Sequence, residues 1–342
     1  MQIIDGQEQF VTELAEGLWS FPIELPNNPL KWLNCYVIKG ANGGRNLLVD
    51  TGFAKPECRA ALIRGMDCLQ LKPAETDVFI THFHTDHVGN AQFLYERGCR
   101  IIMGRIDYER FCINDKNRWT EGRERAIREG MPPEIAWQVF EKSQSLLPGK
   151  GAFTVQTVES GDILRYNDYE LECVLTPGHT PGHMCLYDRR SKTMFLGDHV
   201  LFDISPNICA WASMKDSLGE YLDSLRMIKS YDVSLALPGH RRLSEISVAE
   251  RAQQLLEHHQ RRLDSTLEII RANPGFTAYE IAGHMHWHIT ADSWEHFPLS
   301  QQYFAHSETI AHLAYLALRG YIRREESANQ PPKYYACEES LC

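Results

Sequence analysis

The segment Thr81-His-Phe-His-Thr-Asp-His-Val-Gly89 decides the fold of this chain. It follows the apolar run DVFITH (77–82), which has the pattern of a buried strand. A strand-end loop that leads into a helix lets several side chains converge on one point. Three imidazoles and a carboxylate are costly to pack together unless a cation neutralises and orders them. The segment therefore predicts a metal site that contains His82, His84, Asp86 and His87.

Three more ligand-type residues each follow an apolar run in the same way. They end the segments Leu175-Thr-Pro-Gly-His179, Phe195-Leu-Gly-Asp198 and Ala236-Leu-Pro-Gly-His240. A glycine before the ligand permits a close backbone approach and an unusual turn. A lone Pro-Gly-His is more often a simple turn, but the order HxHxDH … H … D … H predicts one composite site.

This order of motifs resembles the metallo-β-lactamase superfamily over residues from about 15 to 245, including Asp50-Thr51-Gly52. The resemblance implies an α/β fold, a four-layer αββα sandwich with two metal ions at one edge. It implies that His82, His84 and His179 hold the first metal, that Asp86, His87 and His240 hold the second, and that Asp198 bridges both.

Other residues near these motifs are predicted to support the ligands or meet the substrate. Asp50 matches a position that supports the metal loop without binding the metal. On the loop that continues from Asp198, His199 is expected to orient ligands, and Phe202 and Asn207 are expected to line a substrate pocket.

The ligand set indicates the chemistry. Two divalent ions that share a water molecule lower its pKa and yield a metal-bridging hydroxide as the nucleophile. Asp86 and Asp198 are the predicted catalytic carboxylates. A set of imidazoles and carboxylates without thiolate suits Zn, Fe or Mn, of which we favour zinc. His84 stands where the related diiron oxygen reductases carry Glu, which favours hydrolysis over redox chemistry.

The length of 342 residues predicts roughly two domains. We expect residues 1–245 to form the catalytic domain, with a helical insertion at about 106–147. We expect residues 246–342 to form a linker helix and a winged-helix-like domain, similar to the tail of the β-lactamase-like-protein-two group. Capping-box patterns begin helices at Ser247 and Thr277, Ser307 is the expected N-cap of a further helix, and the segment ESANQPP (326–332) is the expected wing.

Two features of these regions have alternative interpretations. The aromatic residues of the insertion either form a lid over the metal edge or pack as ordinary core. The histidine-dense segment His284-x-His286-x-His288 has no fourth ligand nearby, so a polar edge is favoured over another metal site.

Charge separates the candidate functions. The chain carries a formal charge of −10, and residues 276–342 contain four basic and eight acidic residues. A winged helix that reads nucleic acid is expected to be basic on its recognition face. We therefore favour hydrolysis of an ester, thioester or lactone-like bond of a small molecule. A metal-dependent phosphodiesterase or endoribonuclease remains the alternative, with a groove formed by Lys116, Arg118, Arg123, Arg125 and Arg128, and a metal-containing effector or sensor is the third.

The ten cysteines form no CxxC pair, so we expect reduced thiols in a cytoplasmic protein. The start of the sequence lacks the basic and apolar regions of a signal peptide. No stretch approaches the roughly 18 apolar residues that a membrane span needs. A homodimer is possible, and no membrane partner is expected.

Overall fold

Neighbouring residues of the buried strands pack into different hydrophobic clusters. Ile38 lies in an inner cluster and Val37 in a first outer cluster. Leu186 returns to the inner cluster, and Cys185 lies in a second outer cluster. Because successive side chains of a strand point to opposite faces, these strands form two sheets that share the inner cluster and carry a separate cluster on each outer face.

This structure is a computed structural model that describes residues 2–4, 7–112, 115–144, 153–288 and 291–337, with the backbone alone for 2–4, 7–9, 115–119 and 142–144. Its first two strands, β1 (Gln2–Ile4) and β2 (Gln7–Gln9), form a small hairpin. The first large sheet contains β3 (Thr12–Ala15), β4 (Leu18–Glu24), β5 (Trp32–Ile38), β6 (Asn46–Val49), β7 (Thr76–Ile80), β8 (Arg100–Gly104) and β9 (Val155–Val158). These strands lie in sequence order, antiparallel from β3 to β6 and parallel from β6 to β9.

The second large sheet contains β10 (Ile163–Tyr166), β11 (Tyr169–Leu175), β12 (Met184–Asp188), β13 (Thr193–Gly197) and β14 (Leu235–Pro238). Its strands also lie in sequence order, and only the β13–β14 pair is parallel. The end of β14 is tied to the first sheet, since the Asn34 amide donates to the Gly239 carbonyl at 2.7 Å. The two sheets are therefore linked by hydrogen bonds at the edge where the predicted ligands follow their strands.

Helices cover both outer faces. The described helices are α1 (Pro56–Cys68), α2 (Thr85–Val88), α3 (Ala91–Tyr95), α4 (Arg105–Cys112), α5 (Asp115–Arg128), α6 (Pro133–Gln144), α7 (Ser217–Ile228), α8 (Val248–Ala272), α9 (Ala278–His284) and α10 (Leu299–Leu318), with short 3₁₀ turns at Pro73–Glu75 and Trp294–His296. The first outer cluster joins α1 to the first sheet, and the second outer cluster joins α7, α8 and α10 to the second sheet. The predicted αββα sandwich is confirmed.

The C-terminal region has the predicted order of helices followed by a β-hairpin. Ser247 caps α8 by accepting a hydrogen bond from the Glu250 amide, and Thr277 and Glu280 form a complete capping box at α9. The hairpin consists of β15 (Ile322–Ser327) and β16 (Gln330–Ala336). Its assignment as a winged helix, and the boundary between residues 245 and 246, remain predictions.

The expected helix start at Ser307 is wrong. Helix α10 begins after Pro298, so Ser307 lies inside the helix and its carbonyl accepts from the Ala210 amide at 3.3 Å. The polar residues Ser300, Gln301 and Gln302 interrupt the apolar periodicity there, although they do not interrupt the helix. Apolar period alone therefore underestimates the length of α10.

The predicted insertion packs against the C-terminal region. Glu129 follows α5 and forms an ion pair with Arg324 at 2.8 Å, and it accepts a hydrogen bond from the Tyr334 hydroxyl at 2.8 Å. Tyr108 and Phe111 pack against the first outer cluster, as ordinary core residues do. The part of the insertion at 113–114 and 145–147 lies outside the described residues, and a role as a lid remains a prediction.

Two further observations concern the compartment. Within the described part of the chain, no helix has both the length and the apolar character that a bilayer crossing requires. The nine cysteines among the described residues are all free thiols.

Acidification from pH 7 to pH 5 is expected to destabilise the fold through buried histidines of α10. Burial lowers the pKa of His306 to about 4 and that of His312 to about 3. Both titrate near pH 6.5 when unfolded, so below that pH the unfolded chain binds more protons than the folded one. The free energy of unfolding should therefore fall as the pH falls, by up to about 1.4 kcal/mol per pH unit for each histidine.

Denaturant unfolding of the wild-type protein and His306→Gln at pH 7, 6 and 5 measures this dependence. The variant should lose less stability than the wild type over this range because it lacks one of the two groups. Equal losses in both proteins would show that His306 does not contribute.

Candidate metal centre

The seven predicted ligands leave strand ends of both large sheets and meet at one edge of the sandwich. Four of them follow β7 and enter α2, and the other three follow β11, β13 and β14. Six of the seven are buried, and the His84 side chain is half-buried. In chain order, they are His82, His84, Asp86, His87, His179, Asp198 and His240.

Three imidazoles form the first group of ligand atoms. His82 Nε2 lies 3.0 Å from His84 Nδ1. The His179 ring centre lies 4.9 Å from that of His82 and 4.6 Å from that of His84. One nitrogen of each ring lies within 4.8 Å of the others, which is the spacing of ligands around a shared cation.

The second group joins two imidazoles and a carboxylate. His87 Nε2 lies 3.2 Å from His240 Nε2. Asp86 Oδ2 lies 3.3 Å from the same His240 nitrogen. The group therefore offers two nitrogen atoms and one oxygen atom to one point.

Asp198 lies between the two groups. Its Oδ2 is 3.7 Å from His179 Nε2 and 3.4 Å from His240 Nε2, and its Oδ1 is 3.5 Å from His87 Nε2. This carboxylate reaches nitrogen atoms of both groups, which is the position that a bridging ligand requires.

Hydrogen bonds on the far side of three rings fix their orientation. Nδ1 of His87 lies 2.8 Å from Asp50 Oδ2, Nδ1 of His179 lies 2.9 Å from the Asn207 carbonyl, and Nδ1 of His240 lies 2.9 Å from the Trp32 carbonyl. Since these acceptors have no proton to give, each ring donates from Nδ1 and directs Nε2 toward the cluster. Asp50 thus contacts His87 as a supporting, non-ligand residue.

The residues fit divalent metal ions. Among the described residues, His179 Nε2 and Asp198 Oδ1 are buried side-chain atoms without a hydrogen-bond partner. A buried lone pair without a donor is costly, whereas a cation would satisfy both atoms. Five imidazoles and two carboxylates are also the donor types that zinc, iron and manganese accept.

In the first group and in the two carboxylates, the pKa shifts favour the protonation states of metal ligands. Burial lowers the pKa of His84 to about 3 and holds that of His82 well below its usual value. Burial opposes the ionisation of Asp198 and Asp86, but the neighbouring histidines hold the pKa of Asp198 well below its usual range and that of Asp86 at about 2. Neutral imidazoles and ionised carboxylates are the protonation states that bind metal.

The second group shows competition between protons and a cation. Burial disfavours the charged form of His240, but Asp198 and Asp86 raise its pKa to about 10. Burial acts in the same direction on His87, whose pKa is held well above its usual value by Asp50 and Asp198. These carboxylates attract positive charge, which either protons or a metal ion can supply.

Sequence reasoning missed Asp107, which joins two metal loops. This fully buried carboxylate on α4 accepts hydrogen bonds from the Phe83 amide at 3.2 Å, the Thr180 hydroxyl at 2.7 Å and the Gly182 amide at 2.5 Å. Phe83 lies between His82 and His84, and Thr180 follows His179. No local pattern around Asp107 distinguishes it from an ordinary helical acid.

His183 was also missed. Its Nε2 accepts a hydrogen bond from the Asp198 amide at 3.1 Å, and its Nδ1 lies 2.8 Å from the Thr176 hydroxyl. His183 therefore fixes the backbone of Asp198, whose carboxylate lies between the two ligand groups. The repeated Thr-Pro-Gly-His of residues 176–183 is the signal that could have identified it.

The remaining predicted residues have other contacts. The His199 ring packs near those of His183 and Tyr221, and its carbonyl accepts from the Tyr221 hydroxyl. The Phe202 side chain is 8% exposed and packs in the second outer cluster, and its assignment to a substrate pocket remains a prediction. Asn207 orients His179 through its carbonyl, while its side-chain amide donates to Glu308 at 2.7 Å.

Trp211 forms one wall of the centre. Its ring lies 5.2 Å from Phe83 and 5.9 Å from His84, and its Nε1 donates to the His179 carbonyl at 3.0 Å. The same residue lines a cavity of about 650 Å³ that lies between α5, α10 and the hairpin, and Arg125 and Arg128 also line it. The cavity volume is typical of a small-molecule site.

The predicted basic groove is described only in part, and the histidine-dense segment forms no second metal site among the described residues. Arg123 stacks on Trp137 at 3.7 Å, and the side chains of Lys116 and Arg118 lie outside the described residues. In the described ranges, no group of potential metal ligands includes His286 or its two neighbours in the HxHxH pattern.

The family model described as "Metallo-beta-lactamase superfamily" matches residues 33–240. This match covers more than half of the chain and includes all seven predicted ligands. The chain belongs to the metallo-β-lactamase superfamily.

Several curated proteins are similar to this chain. An atrochrysone carboxyl ACP thioesterase of Aspergillus fumigatus is 24% identical over 238 residues, which cover 69% of this chain and 44% of the relative. A protein of the same name from Emericella nidulans is 24% identical over 73% of this chain and 64% of the relative. A beta-lactamase-like protein 2 homolog of Caenorhabditis elegans is 22% identical over 77% of this chain and 75% of the relative. The chain thus spans about half to two thirds of the length of the thioesterases it matches.

Solved structures resemble almost the whole chain. A metallo-beta-lactamase family protein from Thermus thermophilus is 28% identical with a TM-score of 0.80, over 95% of this chain and 100% of that protein. A beta-lactamase domain protein from Burkholderia ambifaria has a TM-score of 0.79 at 24% identity, over 96% of this chain and 93% of that protein. These proteins therefore share the C-terminal region of the fold as well as the sandwich.

Proposed function

We propose that this protein is a metal-dependent hydrolase that cleaves the thioester bond of a small molecule. The observation that carries the proposal is the shared position of Asp198 between two groups of buried ligands. The thioesterases among the similar proteins support the choice of a thioester over an oxygen ester or a lactone.

Each ligand group would hold one divalent ion, for which we propose zinc. His82, His84 and His179 would hold the first ion, Asp86, His87 and His240 the second, and Asp198 both. When bound, the ions polarise the scissile carbonyl and supply a water molecule of lowered pKa as the nucleophile.

The ligands and Trp211 determine the charge of the site and its surroundings. Asp86 and Asp198 are the two carboxylates among the seven ligands, so the ligands would leave half of the charge of two divalent ions uncompensated. A net positive site favours the anionic transition state of acyl transfer. Trp211 lies beside His84, with the two ring centres 5.9 Å apart.

The charges around the neighbouring cavity give less support to a nuclease. Glu129 and Glu326 pair with Arg324 there, and Glu121 and Glu124 lie beside Arg125 and Arg128. Acidic residues that alternate with basic ones weaken attraction for a phosphate backbone.

We also propose a cytoplasmic location, where the free thiols would stay reduced.

A substrate panel tests the proposal. The purified protein should hydrolyse acyl thioesters faster than oxygen esters, lactones, a model phosphodiester or a short single-stranded RNA. Elemental analysis should find two metal ions per chain. Fewer than one ion per chain would contradict the metal centre, and RNA cleavage without thioester hydrolysis would replace the proposed substrate class.

A further inference from the structure

The buried carboxylate of Glu308 on α10 contacts the loop that follows Asp198. The Glu308 side chain is nearly buried, and its Oε2 accepts a hydrogen bond from Asn207 Nδ2 at 2.7 Å. Its Oε1 lies 3.0 Å from Arg262 Nε on α8. Both carboxylate oxygens therefore have partners, and one of those partners belongs to the loop.

Asn207 is one hydrogen bond away from a metal ligand. Its carbonyl accepts the Nδ1 proton of His179 at 2.9 Å, while its side chain is held by Glu308 and by the Phe304 carbonyl. The loop has a further contact with α10, since the Ala210 amide donates to the Ser307 carbonyl. The C-terminal helix thus fixes the loop both at Asn207, which orients His179, and at Ala210.

We propose that Glu308 is a positioning residue for His179, so that the C-terminal region determines how tightly the first ligand group retains its metal. The inference rests on the proposed function in one respect, namely that His179 is a ligand. Without the carboxylate, the Asn207 amide loses its acceptor and the largely buried Arg262 loses its counter-charge. The loop can then shift, and the Asn207 carbonyl no longer holds the His179 ring in one orientation.

The same carboxylate also lies beside two buried histidines, which raises the alternative of a separate metal site. Donor atoms of Glu308, His259 and His312 lie within 4.8 Å of one another. His312 Nδ1 donates to the Glu308 carbonyl at 2.8 Å, and its Nε2 lies 3.3 Å from His259 Nδ1, so the imidazoles can satisfy each other.

The contacts of Arg262 distinguish a positioning role of Glu308 from a separate metal site. Its guanidinium stacks on Trp287 at 4.1 Å and already neutralises Glu308. A divalent ion at this position would lie close to a largely buried positive charge and compete with it for one carboxylate. The contacts therefore favour positioning over ligation.

Metal retention tests the proposal without relying on activity. Glu308→Ala, Glu308→Gln and Asn207→Ala are loaded with zinc and dialysed against increasing chelator, and the metal per chain is measured. We expect Glu308→Ala and Asn207→Ala to lose one of two ions at about 10- to 100-fold lower chelator strength than the wild type, the range for residues that orient ligands. Glu308→Gln should retain the ion better than Glu308→Ala because its carbonyl can still accept from Asn207.

Gln302→Ala is the matched control. Gln302 is also buried on α10, but it bonds Tyr279 and the carbonyls of Trp294 and Phe297, away from the loop. This variant should keep both ions, so a loss in Glu308→Ala cannot be attributed to general weakening of the helix. Asn207→Ala leaves Arg262 and Glu308 paired and provides the test if Glu308→Ala does not fold.

The outcomes separate this inference from the proposed function. Wild-type retention in both Asn207→Ala and the Glu308 variants, with two ions bound, would overturn the positioning role alone. A third ion in the wild type that is lost in Glu308→Ala would overturn it in favour of a separate metal site. A wild-type protein that binds no metal would overturn the proposed function and this inference together.

Discussion

Asp198→Asn is expected to reduce thioester hydrolysis by at least about a thousand-fold, which corresponds to about 4 kcal/mol in the activation barrier. The side chain is nearly buried, and its two oxygens lie 3.4 to 3.7 Å from nitrogen atoms of both ligand groups. An amide of the same shape keeps the packing but lacks the negative charge, so it can no longer serve two cations. The metal content should fall from two ions per chain to one or none.

Steady-state kinetics and elemental analysis of the same preparation measure both effects. Asp223→Asn is a suitable control because Asp223 is an exposed acid on α7 whose partner is Arg226. That control should retain wild-type turnover and metal. If Asp198→Asn kept wild-type turnover, the assignment of Asp198 as the shared carboxylate would be wrong.

Asp107→Ala should lower the free energy of unfolding by about 3 kcal/mol or more. The substitution removes a fully buried carboxylate and leaves the Phe83 amide, the Thr180 hydroxyl and the Gly182 amide without their acceptor. Because Phe83 and Thr180 adjoin ligands of the first group, that group should also lose its metal more readily. Denaturant unfolding of the metal-free protein isolates the effect on the fold from the effect on metal binding.

Glu109→Gln provides the comparison on the same helix. Glu109 is exposed and pairs with Arg105 on the preceding turn, so its replacement should change stability by no more than about 0.5 kcal/mol. Asp107→Asn should fall between the two variants because one oxygen can still accept. Similar stabilities for Asp107→Ala and Glu109→Gln would show that Asp107 does not hold the loops together.

The family resemblance, which rests on local sequence patterns, predicted the sandwich and the set of ligands. The structure brings those ligands together at one edge. The spacing of His82, His84, Asp86 and His87 is contained in a single loop and helix start, where local geometry determines which side chains converge. The strand ends before His179 and His240 could be recognised because a buried strand and the turn that follows it are both short-range patterns.

Contacts between distant parts of the chain could not be predicted in this way. Asp107 meets Thr180, which is 73 positions later, and Asn207 meets Glu308, which is 101 positions later. Asp107 and Glu308 lie on helices, and the sequence around each of them does not show that its carboxylate is buried and hydrogen-bonded. Phe202 is nearly buried in a cluster with residues of α8 and α10, and its position after Asp198 gives no indication of that packing.

The ligands and most residues of the neighbouring cavity come from different parts of the chain. All seven ligands leave strand ends of the sandwich, whereas the cavity beside Trp211 is lined by α5, α10 and the C-terminal hairpin. Mutations at the cavity-lining positions of these segments, which do not include Glu308, can accumulate without changing the seven ligands. We therefore expect substitutions at the α5 and α10 residues that line the cavity to change substrate preference while the seven ligands stay the same, and laboratory evolution of new specificity should begin there.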